Sequence, residues 1–441
     1  MKKFTRTVSV LALTALTTTT LAACGGGGET TKNAEGEVVV DFWHSSSGAS
    51  GETLDKLVQK FNEEHNGNIE VKASYQGSYE DSISKFIASV QTGDLPTLLQ
   101  ASDVQTRYMR DSGLVRSASE LAKNDDSYNF ESLVPGVANY YTMEDEIFSM
   151  PAMVSQPAIF VNNDLLKQAG VDPNSIGTTE GLLNAIEQVH AKTGKPGITF
   201  QHSAWYMEQL AGSLGKEFCA PGNGVGKEQA TEFNLTEPDL VAVWERISEL
   251  YKSGAIHNPG TDGSAATGAF LAGEVALQMN SSSNYGNIQK GNVGFDWSIH
   301  RMPRDTAESG AAPGGNSLWA IQEGNSDEEV EAAWEFMKFI GSDESQKQIF
   351  EETGYLPTTS TATEQLSNLT PQHKSLLDQL ATTPMNTVSA GCHTGALNDA
   401  RKSYAEAMST IANGSDAKTA LETAKQGADS AIANYNARAG K

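Results

Sequence analysis

Val38-Val39-Val40-Asp41-Phe42-Trp43, then His44-Ser45-Ser46-Ser47-Gly48, then Leu54, Leu57, Val58 and Phe61: the reading of this stretch decides the fold. The first run is apolar and rich in β-branched residues, the composition of a buried strand. It stops at a small polar turn that can expose backbone N–H groups. The apolar positions that follow sit at i, i+3, i+4 and i+7, a single stripe on a helix. Asn68 to Ser74 returns to strand, with Ile69, Val71 and Ala73 alternating. Tyr79 to Gln91 is a second helix, striped by Ile83, Phe86, Ile87 and Val90, and Pro96-Thr97-Leu98-Leu99-Gln100 is a short buried strand. This alternation predicts an α/β fold with a mostly parallel sheet flanked by helices.

The pattern continues beyond this unit. Phe148 to Asn163 is apolar and β-rich, and is expected to cross between two lobes. Thr178-Thr179 can cap a helix running through Lys192, striped by Leu182, Leu183, Ile186 and Val189. Val241 to Tyr251 and Glu328 to Ile340 read as helices, Ala269 to Met279 as helix, turn and strand, and Ala400 to Arg438 as almost entirely helical. No short-period repeat is present, which argues against a solenoid.

At 441 residues the chain exceeds what one small core needs, and two domains are expected. Lys2, Lys3 and Arg6 precede a short apolar run, Val8 to Leu21, broken by threonines. That is too short and too polar to span a membrane but suits a cleaved export signal over residues 1–23. Its removal leaves 28 basic against 55 acidic residues, a net charge of −27. Such a surface repels nucleic acid and anionic lipid. A local pocket can still be positive and take an anionic small molecule.

Leu21-Ala22-Ala23-Cys24 resembles the lipobox of bacterial lipoproteins. The resemblance implies acylation at Cys24, with residues 24–36 as a flexible, lipid-anchored tether on the extracytoplasmic face of the cell membrane. Cys219 and Cys392 then remain as an even pair in an oxidising compartment, either bonded to each other or separately buried. Neither has the spacing of a zinc site, so no metal and no cofactor are expected.

Four further segments run in one order along the chain: Trp43-His44-Ser45; Phe270-Leu271-Ala272-Gly273-Glu274-Val275-Ala276-Leu277; Gly314-Gly315-Asn316-Ser317-Leu318-Trp319; and Thr353-Gly354-Tyr355-Leu356-Pro357. Together they resemble the extracellular solute-binding proteins of ABC importers. The last two, with Tyr75-Gln76-Gly77-Ser78-Tyr79-Glu80, are most similar to the Ugp-type, glycerol-3-phosphate-binding branch. The resemblance implies a two-lobe periplasmic-binding-protein fold that closes over its ligand like a clamshell. It places 37–150 and 282–345 in lobe 1, and 151–281 and 346–441 in lobe 2. It further implies a monomer that delivers its ligand to the importer's permease subunits.

The same resemblance nominates a ligand set. Tyr79 matches a phosphate- or glycerol-contacting tyrosine, Asp103 a carboxylate that accepts from glycerol hydroxyls, and Ser155 and Ser281 serine ligands. Gly315 matches a backbone-donating glycine, Tyr355 a tyrosine ligand, and Arg401 a phosphate-clamping arginine. The branch often has two tryptophans three residues apart; Trp205 keeps the second, whereas the first position reads His202. The loss of that ring is expected to reshape the pocket and favour a glycerophosphodiester such as glycerophosphocholine, whose quaternary ammonium an aromatic wall attracts. Trp43 is a further aromatic candidate.

Enzyme chemistry finds no support: the chain has no G-x-S-x-G elbow, no H-E-x-x-H and no P-loop. The nearer alternative is a carbohydrate-binding protein of an ABC sugar importer, with Trp43, Trp205, Tyr285 and Tyr355 available to stack on sugar rings.

Overall fold

The computed structural model describes residues 30–123 and 125–439. Cys24 and the expected export signal lie outside them. The opening stretch forms strand β1 (Val38–His44) and helix α1 (Gly48–Glu64), which buries Leu54, Leu57, Val58 and Phe61. Strand β2 (Ile69–Tyr75) pairs parallel to β1, and helix α2 (Tyr79–Thr92) leads to β3 (Leu98–Ser102) on the other side of β1. Strands β4 (Val115–Arg116) and β5 (Met150–Ser155) complete this sheet with a long strand from much later in the chain.

The second sheet starts one residue after the first sheet ends. Strand β6 (Pro157–Asn162) belongs to it, with only Gln156 between β5 and β6. Gln156 is buried and held on both sides: its N–H donates to Ser282 Oγ at 3.2 Å, and its carbonyl accepts from Ser282 N at 2.7 Å. The crossing expected across Phe148–Asn163 is therefore one fully hydrogen-bonded residue. Strands β7 (Ile198–Thr199), β8 (Ile256–His257), β9 (Leu277–Ser281) and β10 (Trp297–His300) follow, in the order β8-β7-β9-β6-β10. Strand β11 (Gly314–Ile321) returns to the first sheet, whose order is β2-β1-β3-β11-β4 with β5 also on β11.

The parallel pairing expected of both lobes holds for β2-β1-β3 and for β8-β7-β9; the other pairs are antiparallel. Three boundaries differ from expectation: residues 151–155, expected in lobe 2, belong to β5 of the first sheet; Ile349, expected in lobe 2, packs in the first core; and the third concerns the segment before β11. Residues 282–313 were assigned to lobe 1, but β10 pairs with β6 in the second sheet, so the chain re-enters the first lobe only at Gly314. Composition does not mark this point, because a strand flanks the segment on each side.

Each lobe has its own core. Phe42, Phe61, Trp334, Phe336 and Ile349 fill the first, beneath α1 and the helix Asp327–Ile340. In the second, Tyr206 and Leu210 of helix α3 (Ala204–Ser213) pack with Trp244 of α4 (Pro238–Ser253). Tyr404 of α5 (Leu397–Ala412) and Leu421 of α6 (Ala417–Ala439) join them, so the helical tail closes the second lobe. Cys219 and Cys392 are bonded within this core, with their Cα atoms 5.6 Å apart.

Residues 30–36, the end of the proposed tether, are not free of the body. Thr31 N donates to Glu329 Oε1 at 3.0 Å, and Lys32 pairs with Glu328 at 3.0 Å. Both carboxylates lie in the first turn of the helix Asp327–Ile340, which Ser326 caps. Among the described helices, none is long and apolar enough to cross a membrane.

Candidate functional site

The site lies at the seam between the two sheets, where strand ends and helix starts from both lobes converge. From the first lobe, Tyr79 opens α2 directly after its N-cap Ser78, within the Ser78–Asp81 capping box. Asp103 opens a short turn directly after β3. Gln105 ties the two together: its side-chain oxygen accepts from Ser102 N at 3.0 Å and its amide donates to the Tyr79 carbonyl at 3.1 Å. Ser155 ends β5, opposite Gly314 at the start of β11. From the second lobe, Trp205 stands in the first turn of α3 and Arg401 in the first turns of α5.

A single point shows how closely these groups meet. A Cβ placed on Gly314 would lie 3.5 Å from Trp205 Nε1, 3.6 Å from Ser155 Oγ and 3.8 Å from Asp103 Oδ2. Three expected ligand residues from both lobes thus surround Gly314, whose missing side chain leaves room beside them. Gly315 has a different reason to be glycine. Its φ is +108°, and a Cβ there would stand 2.0 Å from the Met153 carbonyl on the paired strand. Gly315→Ala is expected to cost about 2–3 kcal/mol through this backbone clash, read by chemical denaturation.

Along the same wall, the Tyr79 hydroxyl accepts from Asn316 Nδ2 at 2.9 Å. Asn316 Oδ1 is buried with no partner among the described residues, an acceptor open to a ligand hydroxyl. Tyr355 lies beside Ser283 and Ser50, and Ser283 Oγ is 2.9 Å from Ser281 Oγ. The Tyr355 loop is pinned to β5 where Leu356 N donates to the Val154 carbonyl at 2.7 Å. Burial pushes the phenols of Tyr79 and Tyr355 up, so both stay neutral hydrogen-bonding groups.

Charge concentrates at the floor. A cavity there is lined by Asp103, Tyr140, Trp205, Glu208, Ala312 and Arg401, among others. Arg401 donates from Nε to Glu208 Oε1 at 2.8 Å and from Nη2 to Glu208 Oε2 at 2.6 Å. The Tyr404 hydroxyl donates to the same carboxylate at 2.5 Å. Burial works against the guanidinium charge, but Glu208 outweighs it and holds Arg401 protonated. Asp103 behaves oppositely. Burial pushes its carboxyl from 3.8 up to about 6, with Glu208 adding to the rise and Arg401 opposing it.

A raised folded-state value means that Asp103 binds its proton more tightly folded than unfolded. Its ionisation therefore opposes folding fully above pH about 6, and this opposition fades as pH falls toward 4. Asp103→Asn is expected to raise the denaturation midpoint of the ligand-free protein at pH 7.5, with the gain shrinking toward pH 4.5.

Residues 56–376 match the family of bacterial extracellular solute-binding proteins. The chain belongs to that family. Among curated relatives, the sn-glycerol-3-phosphate-binding periplasmic protein UgpB of Salmonella typhimurium is 31% identical over 345 residues, 76% of this chain and 77% of the relative. UgpB of Escherichia coli K12 is 30% identical over 340 residues, 75% and 76% of the two chains. Among solved structures, UgpB from Mycobacterium tuberculosis in complex with glycerophosphocholine superposes with TM-score 0.74 at 18% identity, covering 90% of this chain and 100% of that one. The GacH receptor of Streptomyces glaucescens, solved unliganded and with acarbose, gives 0.73 at 20% identity, covering 90% and 99%. Both establish the two-lobe fold that this family member shares.

Two nominated residues do not join the site. His202 is buried in the second lobe, with Nδ1 3.1 Å from Ser409 Oγ and Nε2 3.4 Å from the Tyr251 hydroxyl. Both ring nitrogens are occupied by α4 and α5, so His202 is a packing residue of the solute-binding protein and does not line its pocket. Trp43 donates to Asp41 Oδ2 at 3.1 Å on its own strand, and its ring packs against the cluster of Phe86, Leu99 and Trp319. Strand alternation sends it to the α2 side of the first sheet. Conversely, Glu208, Tyr140, Asn316, Ser283 and Gly314 belong to the site and were not anticipated. Glu208 carried one usable signal: it lies one helical turn after Trp205, on the same face.

Proposed function

We propose that this solute-binding protein captures glycerol-3-phosphate or a glycerophosphodiester such as glycerophosphocholine. It delivers the ligand to the permease of an ABC importer. Its place is the outer face of the cell membrane, held there by lipid on Cys24. It binds and releases its ligand unchanged, as a receptor and not an enzyme. The observation that supports this reading best is the meeting of Asp103, Ser155 and Trp205 around Gly314, with the Arg401 guanidinium on the same cavity wall. Hydroxyl acceptors, a serine, an aromatic face and a fixed cation match a glycerol backbone, its phosphate and an apolar or cationic head. The names of the curated relatives point to the same ligand class.

Groups from both lobes contact one small ligand, so binding favours the closed arrangement by differential affinity. Residues 37–155 and 314–345 supply the first wall, and 157–313 with the helical tail the second.

A second reading, a carbohydrate receptor, has one observation in its favour. Glu208 already occupies the Arg401 fork, and the remaining polar groups, Asp103, Asn316 and the serines, also suit sugar hydroxyls. Titration calorimetry on the chain beyond Cys24 decides between them, with glycerol-3-phosphate, glycerophosphocholine and maltose side by side. Binding of either phosphorylated compound with maltose silent supports the glycerol-phosphate reading; maltose binding alone overturns it.

A further inference from the structure

We propose that Glu208 sets the charge of the ligand this protein accepts, favouring a singly charged phosphodiester over a doubly charged phosphate monoester. The inference rests on the glycerol-phosphate reading above and narrows it.

Four observations carry it. Two cations line the cavity, and both are already paired: Arg401 with Glu208, and Lys216 with Asp239 at 2.8 Å. Two carboxylates, Glu208 and Asp103, line it as well. The Arg401–Glu208 bonds use Nε and Nη2, so the side edge of the guanidinium is taken by a carboxylate and only its Nη1/Nη2 end remains for a ligand. Tyr404 donates to Glu208 from below, fixing the carboxylate in this competing position.

A phosphate monoester has its second pKa near 6 and is doubly charged at pH 7.5. Set against two carboxylates and cations whose charge is already paired, its second charge has no partner and is repelled. A phosphodiester carries one charge, which the free end of the guanidinium and the serine hydroxyls can satisfy. A cationic head group on that diester gains from the same carboxylates. Glu208 lines the cavity, and its side-chain hydrogen bonds among the described residues go to Arg401 and Tyr404.

The test is calorimetry at pH 7.5 with three ligands: glycerol-3-phosphate, glycerophosphoglycerol and glycerophosphocholine. The wild-type protein is expected to bind both diesters at least about tenfold more tightly than the monoester. Glu208→Gln, which keeps the shape and removes the charge, is expected to shrink that ratio by about tenfold, mostly by strengthening the monoester. Glu208→Asp keeps the charge and is expected to keep the wild-type order. A wild-type protein that prefers the monoester overturns the proposal without any variant. Equal weakening of all three ligands in a folded Glu208→Gln protein also overturns it, since that is what a purely structural residue would do. If no phosphorylated ligand binds the wild type, the glycerol-phosphate reading itself falls, and this inference with it.

Discussion

Arg401→Ala is expected to remove high-affinity binding of a phosphorylated ligand and, separately, to destabilise the ligand-free protein by about 3–5 kcal/mol. The stability cost comes from the partner left behind. The Arg401 and Glu208 side chains are only 20% and 14% exposed, and without the guanidinium Glu208 keeps a single donor, Tyr404. A largely buried carboxylate stripped of its counter-charge loses its solvation with little return. The binding cost, about 2 kcal/mol or more, comes from losing a charge-assisted contact to phosphate. Denaturation without ligand reads the first effect, and calorimetry on the folded protein reads the second. Replacing both partners by methionine separates them further: the pair is then absent altogether, so stability should recover to within about 1–2 kcal/mol of wild type. Ligand affinity should stay low. Undiminished affinity in Arg401→Ala would show that Arg401 is a structural partner of Glu208 and no phosphate clamp.

Breaking the Cys219–Cys392 bond is expected to cost about 5 kcal/mol, the chain-entropy value for a loop of 173 residues. The bond joins a short hairpin strand, Cys219–Ala220, to the segment just before α5, the helix that carries Arg401 and Tyr404. Both sulfurs lie in the core of the second lobe. Loss of the crosslink frees the helical tail to leave that core, so α5 should lose its place at the site floor at lower denaturant than the first lobe unfolds. Denaturation with and without reductant, followed by the fluorescence of Trp205 and Trp244, tests this. An unchanged midpoint would show that packing alone holds the tail.

The elements of the fold were legible because their signals are local. The stripe Leu54, Leu57, Val58, Phe61 is the buried face of α1, and Thr178 does cap the helix Thr179–Thr193 through Gly181 N. The helix read at Val241–Tyr251 runs from Pro238 to Ser253, starting at a proline and stopping at Gly254 with φ +81°. A strand's sheet is not a local property. Trp297–His300 reads as strand in either lobe, and only its pairing with β6 assigns it to the second.

Of the residues that the resemblance nominates, Asp103, Ser155 and Trp205 meet around Gly314, each at or beside the end of a strand or the start of a helix. Side-chain direction decided the failures. His202 and Trp205 are three residues apart, yet His202 precedes α3 and turns back onto Tyr251 and Ser409. Trp43 sits on β1, but alternation points its ring away from the second lobe.

By itself, then, the sequence determined the α/β alternation, the helix ends, the acidic surface and the presence of two cysteines able to pair. Each follows from propensity, periodicity, capping or charge, which act within a few residues or over the whole surface. The tertiary structure alone decided that Glu208, among 55 acidic residues, faces Arg401 across 193 positions of chain, and that Gly314 rather than Gly315 opens the space beside Trp205. Those facts depend on where α3, α5 and β11 meet, and beyond the helix face that Glu208 shares with Trp205, neither residue's neighbours in sequence mark the pairing.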